Sequence, residues 1–185
     1  MIGAGGVLAG VRFIASPNVD ARPPGCSIRL LVIHNISLPP DQFGTEGIVD
    51  LFTNRLDPGA HPFYETIRDL RVSAHFLIRR DGEIIQFVPC TQRAWHCGAS
   101  RWSGLEACND FSIGVELEGS DTTPFESAQY DALALLTSAL KASYPIEAIA
   151  GHSDIAPGRK SDPGPCFDWK RYRNALCAAS IEFDR

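Results

Sequence analysis

No apolar run in this chain approaches the 18 or so residues that a membrane span requires, so no membrane association is expected. A basic excess is missing too. The 17 Lys and Arg stand against 22 Asp and Glu, a formal net charge of −5, the wrong sign for a strongly basic nucleic-acid binder. The sequence holds no internal repeat, charge block or low-complexity stretch, no CxxC pair among its six cysteines and no compact zinc motif such as HExxH. The opening residues, MIGAGGVLAGVRFIASP, lack the basic start of an export signal, and Arg12 interrupts an already short apolar stretch. They read as part of the mature protein. Six cysteines in 185 residues are too few for a disulfide scaffold, so the reducing cytosol is the expected compartment.

What is present is an ordinary globular composition, 44% hydrophobic over 185 residues. That length suits one domain spanning 1–185, large enough to bury its own core. Ile28 to Ile33 is a nearly continuous apolar run, as a buried strand requires. Ile48, Val49, Leu51, Phe52 and Leu56 recur at helical spacing, and residues 56–70 read mostly as loop. Two strand-like runs flank Asp81-Gly82, a hairpin signal. Phe111, Ile113, Val115 and Leu117 alternate with smaller or polar residues as a strand does. Thr123-Pro124-Phe125-Glu126 has capping-box spacing with Pro at the first helical position, which predicts a helix from there to about Ser143. A short strand, 148–151, and a last helix capped by Asp168 follow. The order β-α-β-β-β-α-β-α predicts an α/β fold with a single mixed sheet flanked by helices.

Three polar residues fall at or just past strand ends: His34, Glu116 and His152. Sites gather at the carboxyl ends of strands in α/β sheets, so the three converge if their strands run parallel. His152 opens the segment GHSDIAPGRKSDPGPCFDW, which also offers Asp154, Lys160, Asp162 and Cys166. A catalytic zinc takes three protein ligands and keeps a position for water. His34, His152 and Asp162 supply the right atoms, although the spacing alone leaves plain polar roles open. Glu116 and Glu118 are equally open to a structural role, as is Lys160 to that of a solvated cation. His75, set among apolar neighbours, reads as a buried hydrogen-bonding residue. His61, His96, Trp95 and Trp102 fit either a site or a surface and core role.

The last segment resembles the signature of the AmpD-type anhydro-N-acetylmuramyl-L-alanine amidases, zinc enzymes of cytosolic peptidoglycan recycling. The likeness covers nearly the whole chain, through SPNVDARP (16–23), LLVIHNISLPP (30–40), VSAHFLIRRDGEIIQFVP (72–89), AWHCGAS (94–100) and CNDFSIGVELEG (108–119). It implies the amidase fold shared with peptidoglycan recognition proteins and T7-type lysozymes. It also implies one zinc held by His34, His152 and Asp162, where the T7-type relatives use Cys as third ligand. The family's active-site Glu and Lys fall on Glu116 and Lys160, and Asn35, Arg71, Trp95 and His96 fall where its substrate groove lies. One departure stands out. An Arg usual before the Cys-Asn-Asp run, associated with peptide carboxylates, is Ala107 here, and Leu105 replaces another; Arg101 is the neighbouring cation.

The implied reaction is hydrolysis of the amide joining the lactyl group of N-acetylmuramic acid to L-alanine. Glu116 is the expected base, Lys160 the cation beside the oxyanion, Trp95 a platform for the sugar and Arg71 a partner for carboxylates. The expected partner is the muropeptide, with no nucleic acid, membrane or obligate protein partner. In the family, loss of this activity raises β-lactamase expression in some bacteria. The rival expectations are a lytic amidase acting on polymeric peptidoglycan and a muropeptide-binding module without catalysis.

Overall fold

The structure, a computed structural model, describes residues 1–182. Its centre is a six-stranded mixed sheet built from β1 (Arg12–Phe13), β3 (Leu30–Ile36), β4 (Phe76–Ile78), β5 (Ile84–Gln86), β9 (Ser112–Glu118) and β10 (Ala148–Gly151). The strand order is β1-β5-β4-β9-β3-β10. Two ribbons lie outside the sheet: β2 (Val19–Ala21) pairs with β6 (Gln92–Ala94), and β7 (Arg101–Trp102) with β8 (Leu105–Glu106). The helices are α1 (Gly47–Phe52), α2 (Pro62–Thr66), α3 (Ser127–Ser143), α4 (His152–Ile155) and α5 (Trp169–Glu182). None of the described helices is long and apolar enough to cross a membrane.

The expected mixed sheet flanked by helices is therefore present, and the Asp81-Gly82 hairpin is the antiparallel pair β4–β5. β3 runs parallel to both β9 and β10, and β4 runs parallel to β9. Side chains alternate faces along a strand. Leu31, Ile33, Ile113, Val115 and Leu117 point to one face and pack with Leu133, Leu136, Leu140 and Tyr172 of α3 and α5. Ser112, Gly114, Glu116 and His34 take the other face. Because both faces are covered, all seven residues of β9 are buried. Phe111 breaks the alternation expected of it. It ends a 3-10 turn, Cys108–Asp110, and packs with Leu30 and Val32 instead.

Two helix boundaries differ from expectation. α3 begins at Ser127, with Glu126 as its cap in a reciprocal pairing with Gln129. The Thr123 to Pro124 stretch belongs to the preceding turn, closed by a bridge between Ser120 and Thr123, and Phe125 is buried in the core. The 56–70 segment, expected as mostly loop, folds a 3-10 turn at Pro58–Ala60 and then α2. His61 supplies the cap there, its Nδ1 accepting from Phe63 N at 3.1 Å, so that histidine is a local surface device. Asp168 caps α5 as expected, its Oδ1 accepting from Arg171 N at 2.9 Å.

The N-terminal motifs act behind the site. Among the described residues the partly buried guanidinium of Arg22 has no carboxylate ion-pair partner; it is surrounded by the carbonyls of Cys90, Asn109, Asp110 and Ser112 at 2.7–3.2 Å. One side chain thus ties the 90–92 turn to the entry of β9. His75 is fully buried, its Nδ1 accepting from Gly114 N and its Nε2 donating to Gln92 O, both at 3.1 Å, the structural role its apolar neighbours suggest.

Candidate metal centre and active-site cleft

The parallel arrangement brings the three strand-end residues together. His34 lies two residues before the end of β3, directly opposite Glu116 on β9. His152 follows β10 as the first residue of α4. Asp162 arrives on the loop after α4, which is pinned from two sides. Asn35 Nδ2 donates to Pro163 O at 3.0 Å and to Asp121 Oδ1 at 2.7 Å, and Ser153 N donates to Asp162 O at 2.9 Å. Gly151 lets the loop close down, because a Cβ there would stand 2.8 Å from Pro163 Cδ.

The result is a triangle of ligand-type atoms. His34 Nδ1 lies 3.0 Å from His152 Nδ1 and 2.9 Å from Asp162 Oδ2, and His152 Nδ1 lies 3.0 Å from the same oxygen. The outer nitrogen of His152 donates to Cys97 O at 3.0 Å, so a neutral ring presents a bare Nδ1 to the triangle. Two lone-pair nitrogens and a carboxylate oxygen at such short range repel one another unless a cation or proton lies among them. This donor set fits the zinc that the sequence resemblance implies: two imidazoles and one carboxylate, the complement of a catalytic site. Cys166, the other ligand type on that loop, does not join the cluster, and Asp154 Oδ2 instead accepts from Gly151 N at 2.7 Å. A further group, His34 with His96 and Cys97, lies directly behind.

Charge and burial act on each member. Burial raises the Asp162 carboxyl, but the His152 and His34 rings set against its Oδ2 outweigh that effect and hold the group well below the usual carboxylate range. Burial lowers His34 to about 4 and His75 to about 3, and pushes His96 well below the ordinary value. These shifts imply a pH dependence for the metal-free protein. An unfolded histidine titrates near 6.5, so between there and about pH 4 the unfolded chain binds protons that the native state refuses. The stability these rings contribute is complete above pH 6.5 and is lost as pH falls, at up to about 1.4 kcal/mol per pH unit for each. Urea unfolding midpoints of chelator-treated protein should drop steeply from pH 7 to pH 5. A flat profile would mean that the three rings are not buried as neutral groups.

Glu116 and Glu118 share one strand and one orientation but differ in partners. Glu118 is saturated: Oε1 accepts from Gly44 N at 2.7 Å, Oε2 from Arg80 N at 3.2 Å, and Arg79 Nη1 lies 3.5 Å away. Glu116 is buried and its Oε2 has no hydrogen-bond partner among the described residues. Buried polar atoms are nearly always paired, so this oxygen marks a place kept open for another molecule. Burial and the nearby Asp162 carboxylate raise the Glu116 carboxyl well above the ordinary range, opposed by the Lys160 cation.

Glu116, Lys160, His34, His152 and Asp162 line one cleft of about 410 Å³, together with Asn35, Trp95 and His96. Apolar walls come from Leu38, Phe52, Phe63, Ile67, Leu70 and Val72. Trp95 is fixed by its backbone, N donating to Ser73 Oγ at 3.0 Å and O accepting from Ser73 N at 3.1 Å. Arg71 is not brought into this lining. Its guanidinium donates to the carbonyls of Arg68 and Leu70, on its own exposed turn between the lining residues Leu70 and Val72. His96 borders the cleft but is buried, and both its ring nitrogens face protein atoms. Trp102 packs on Phe111 as part of a core cluster. Ala107, in the left-handed region at φ 57°, lines a separate depression with Arg101 and Glu106. The sequence held no signal for Asn109, whose Oδ1 accepts from the backbone of both His96 and Cys97 at 3.1 and 2.8 Å.

Residues 24–165 match the family model described as N-acetylmuramoyl-L-alanine amidase. The 1,6-anhydro-N-acetylmuramyl-L-alanine amidase AmpD of Escherichia coli is 58% identical over 170 residues, covering 91% of this chain and 93% of that protein. The crystal structure of a selenomethionine AmpD derivative superposes with a TM-score of 0.92 at 54% identity, covering 95% of this chain and 99% of that one. The amidase AmiD of Escherichia coli, solved with anhydro-N-acetylmuramic acid-L-Ala-D-γ-Glu-L-Lys as substrate, superposes at 0.60 with 31% identity, over 83% of this chain and 60% of that one.

Proposed function

From the premise that this chain belongs to the N-acetylmuramoyl-L-alanine amidase family, we propose zinc-dependent hydrolysis of the amide between anhydro-N-acetylmuramic acid and L-alanine in muropeptides. The chain is an amidase of muropeptide recycling, as its relatives named AmpD are. In this proposal residues 1–185 act as one cytosolic domain. The observation that carries it is the buried Oε2 of Glu116, without a hydrogen-bond partner among the described residues, in the same cleft as three converging ligand atoms.

His34, His152 and Asp162 would hold the zinc ion. Bound there, zinc supplies Lewis acidity, polarising a carbonyl oxygen and lowering the pKa of coordinated water. The rest falls to the protein. Glu116 Oε2 takes a proton from the attacking water and returns it to the leaving nitrogen, and a carboxyl raised above its usual range suits both directions of transfer. The exposed Lys160 ammonium stands at the cleft, where it offsets charge gathering on the carbonyl oxygen. Trp95 offers an apolar face to the sugar. Asn35 lines the cleft while its amide is committed to the Asp162 loop. Arg71, exposed on the turn beside the cleft, would have to leave the carbonyls of Arg68 and Leu70 to meet a peptide carboxylate. His96 offers substrate no free nitrogen.

Six unpaired cysteines support a reducing, cytosolic compartment. Mass-spectrometric product analysis tests the reading. Incubated with an anhydro-muropeptide, the protein should release the anhydro sugar and the free stem peptide, and should release far less peptide from intact sacculi. Faster release from sacculi would make it a lytic amidase, and binding without cleavage would make it a recognition module.

A further inference from the structure

His96 is a buried ring that no step above uses. It stands edge-on to His34, with ring centroids 5.0 Å apart and planes at 88°. Its Nδ1 lies 2.9 Å from His34 Nε2, its Nε2 3.3 Å from Ser112 Oγ, and Cys97 Sγ approaches Nδ1 at 3.2 Å. The fold reserves this place. A Cβ on Gly114 would stand 2.4 Å from His96 Nδ1, so β9 carries a glycine directly beneath the ring.

We infer that His96 is a positioning residue that fixes the tautomer of His34. The proton sits on His34 Nε2 and is donated to His96 Nδ1, which leaves His34 Nδ1 bare toward Asp162 and His152. The proton of His96 then sits on Nε2, where Ser112 Oγ accepts it. The next residue does the same for the other imidazole, since Cys97 O accepts from His152 Nε2 at 3.0 Å. Two adjacent residues therefore orient both histidines, one through a ring and one through a carbonyl. Asn109 Oδ1 holds that pair in place by accepting from both backbone N–H groups. A ring held this way keeps its basic nitrogen aimed at the ion, and losing such an outer partner typically costs 10–100-fold in metal affinity.

The inference rests on the proposed zinc centre, so zinc affinity is measured directly, by competition with a chromophoric chelator, for the parent, His96→Leu and His96→Asn. Leucine fills space without an acceptor, whereas asparagine returns an oxygen near the position of Nδ1. The parent should bind one zinc, His96→Leu should bind about 10–100-fold more weakly, and His96→Asn should recover most of the loss. In ¹⁵N-histidine spectra of the zinc-loaded parent, His34 should be protonated on Nε2. Parent-like affinity in His96→Leu would overturn the inference. So would an equally weak His96→Asn that melts like the parent, since the ring then serves packing alone. A parent that binds no zinc would instead remove the metal centre itself. If His96→Leu does not fold, Ser112→Ala, which strips the acceptor from His96 Nε2, should weaken zinc several-fold, and unchanged affinity there overturns the inference equally.

Discussion

Glu116→Gln should lower kcat by about 10²–10⁴, the usual worth of a positioned general base, with zinc content and muropeptide affinity unchanged. Glutamine keeps the shape on β9 and removes the basicity. The same substitution should raise the thermal midpoint of the metal-free protein. Burial lifts the native-state pKa of Glu116 above its unfolded value, so the stability it contributes is present below about pH 4.3 and is lost as pH rises toward the native value. At neutral pH the substitution therefore removes a cost, a trade of stability for activity common at active sites. Steady-state kinetics with zinc analysis and a melting curve decide the matter. Full activity would end the role of Glu116 as base, and simultaneous loss of zinc would make it a ligand or a support for one.

Asp162→Ala should abolish stoichiometric zinc binding at micromolar protein, a larger loss than the 10–100-fold typical of an outer partner. The carboxylate is the one anionic corner of the triangle, with both Nδ1 atoms within 3.0 Å of its Oδ2. Neighbouring groups cannot take its place without rearrangement, because Asp154 is engaged at Gly151 N and Cys166 lies outside the cluster. Elemental analysis after gel filtration gives the answer. Parent-like zinc content would remove Asp162 from the centre.

Local patterns carried well into the fold wherever neighbours in sequence decide the structure. The Asp81-Gly82 hairpin, the 148–151 strand and the Asp168 cap were legible because a tight turn, a short β run and a helix start depend on a few adjacent residues. The start of α3 was not, since Phe125 is drawn into the core and Glu126 with Gln129 makes the better cap. Short α2 was missed because its cap is a histidine ring rather than a common capping residue.

At the candidate site, the sequence by itself identified His34, Glu116 and His152 as strand-end groups, Asp162 as a possible third ligand and, by resemblance, the reaction. Only the tertiary structure made β3, β9 and β10 parallel neighbours, and so turned strand ends far apart in the chain into one triangle. It also supplied the physical reason that separates Glu116 from Glu118, which have the same residue type, strand and face and which the sequence told apart only by resemblance. The difference lies in what stands opposite each: Gly44, Arg79 and Arg80 saturate one, while an oxygen of the other meets no hydrogen-bond partner among the described residues. It alone set His96 behind His34 and Asn109 beneath the 96–97 turn. A side chain's hydrogen-bond partners are fixed by long-range packing, and spacing along a single chain does not encode which distant atoms that packing brings within 3 Å.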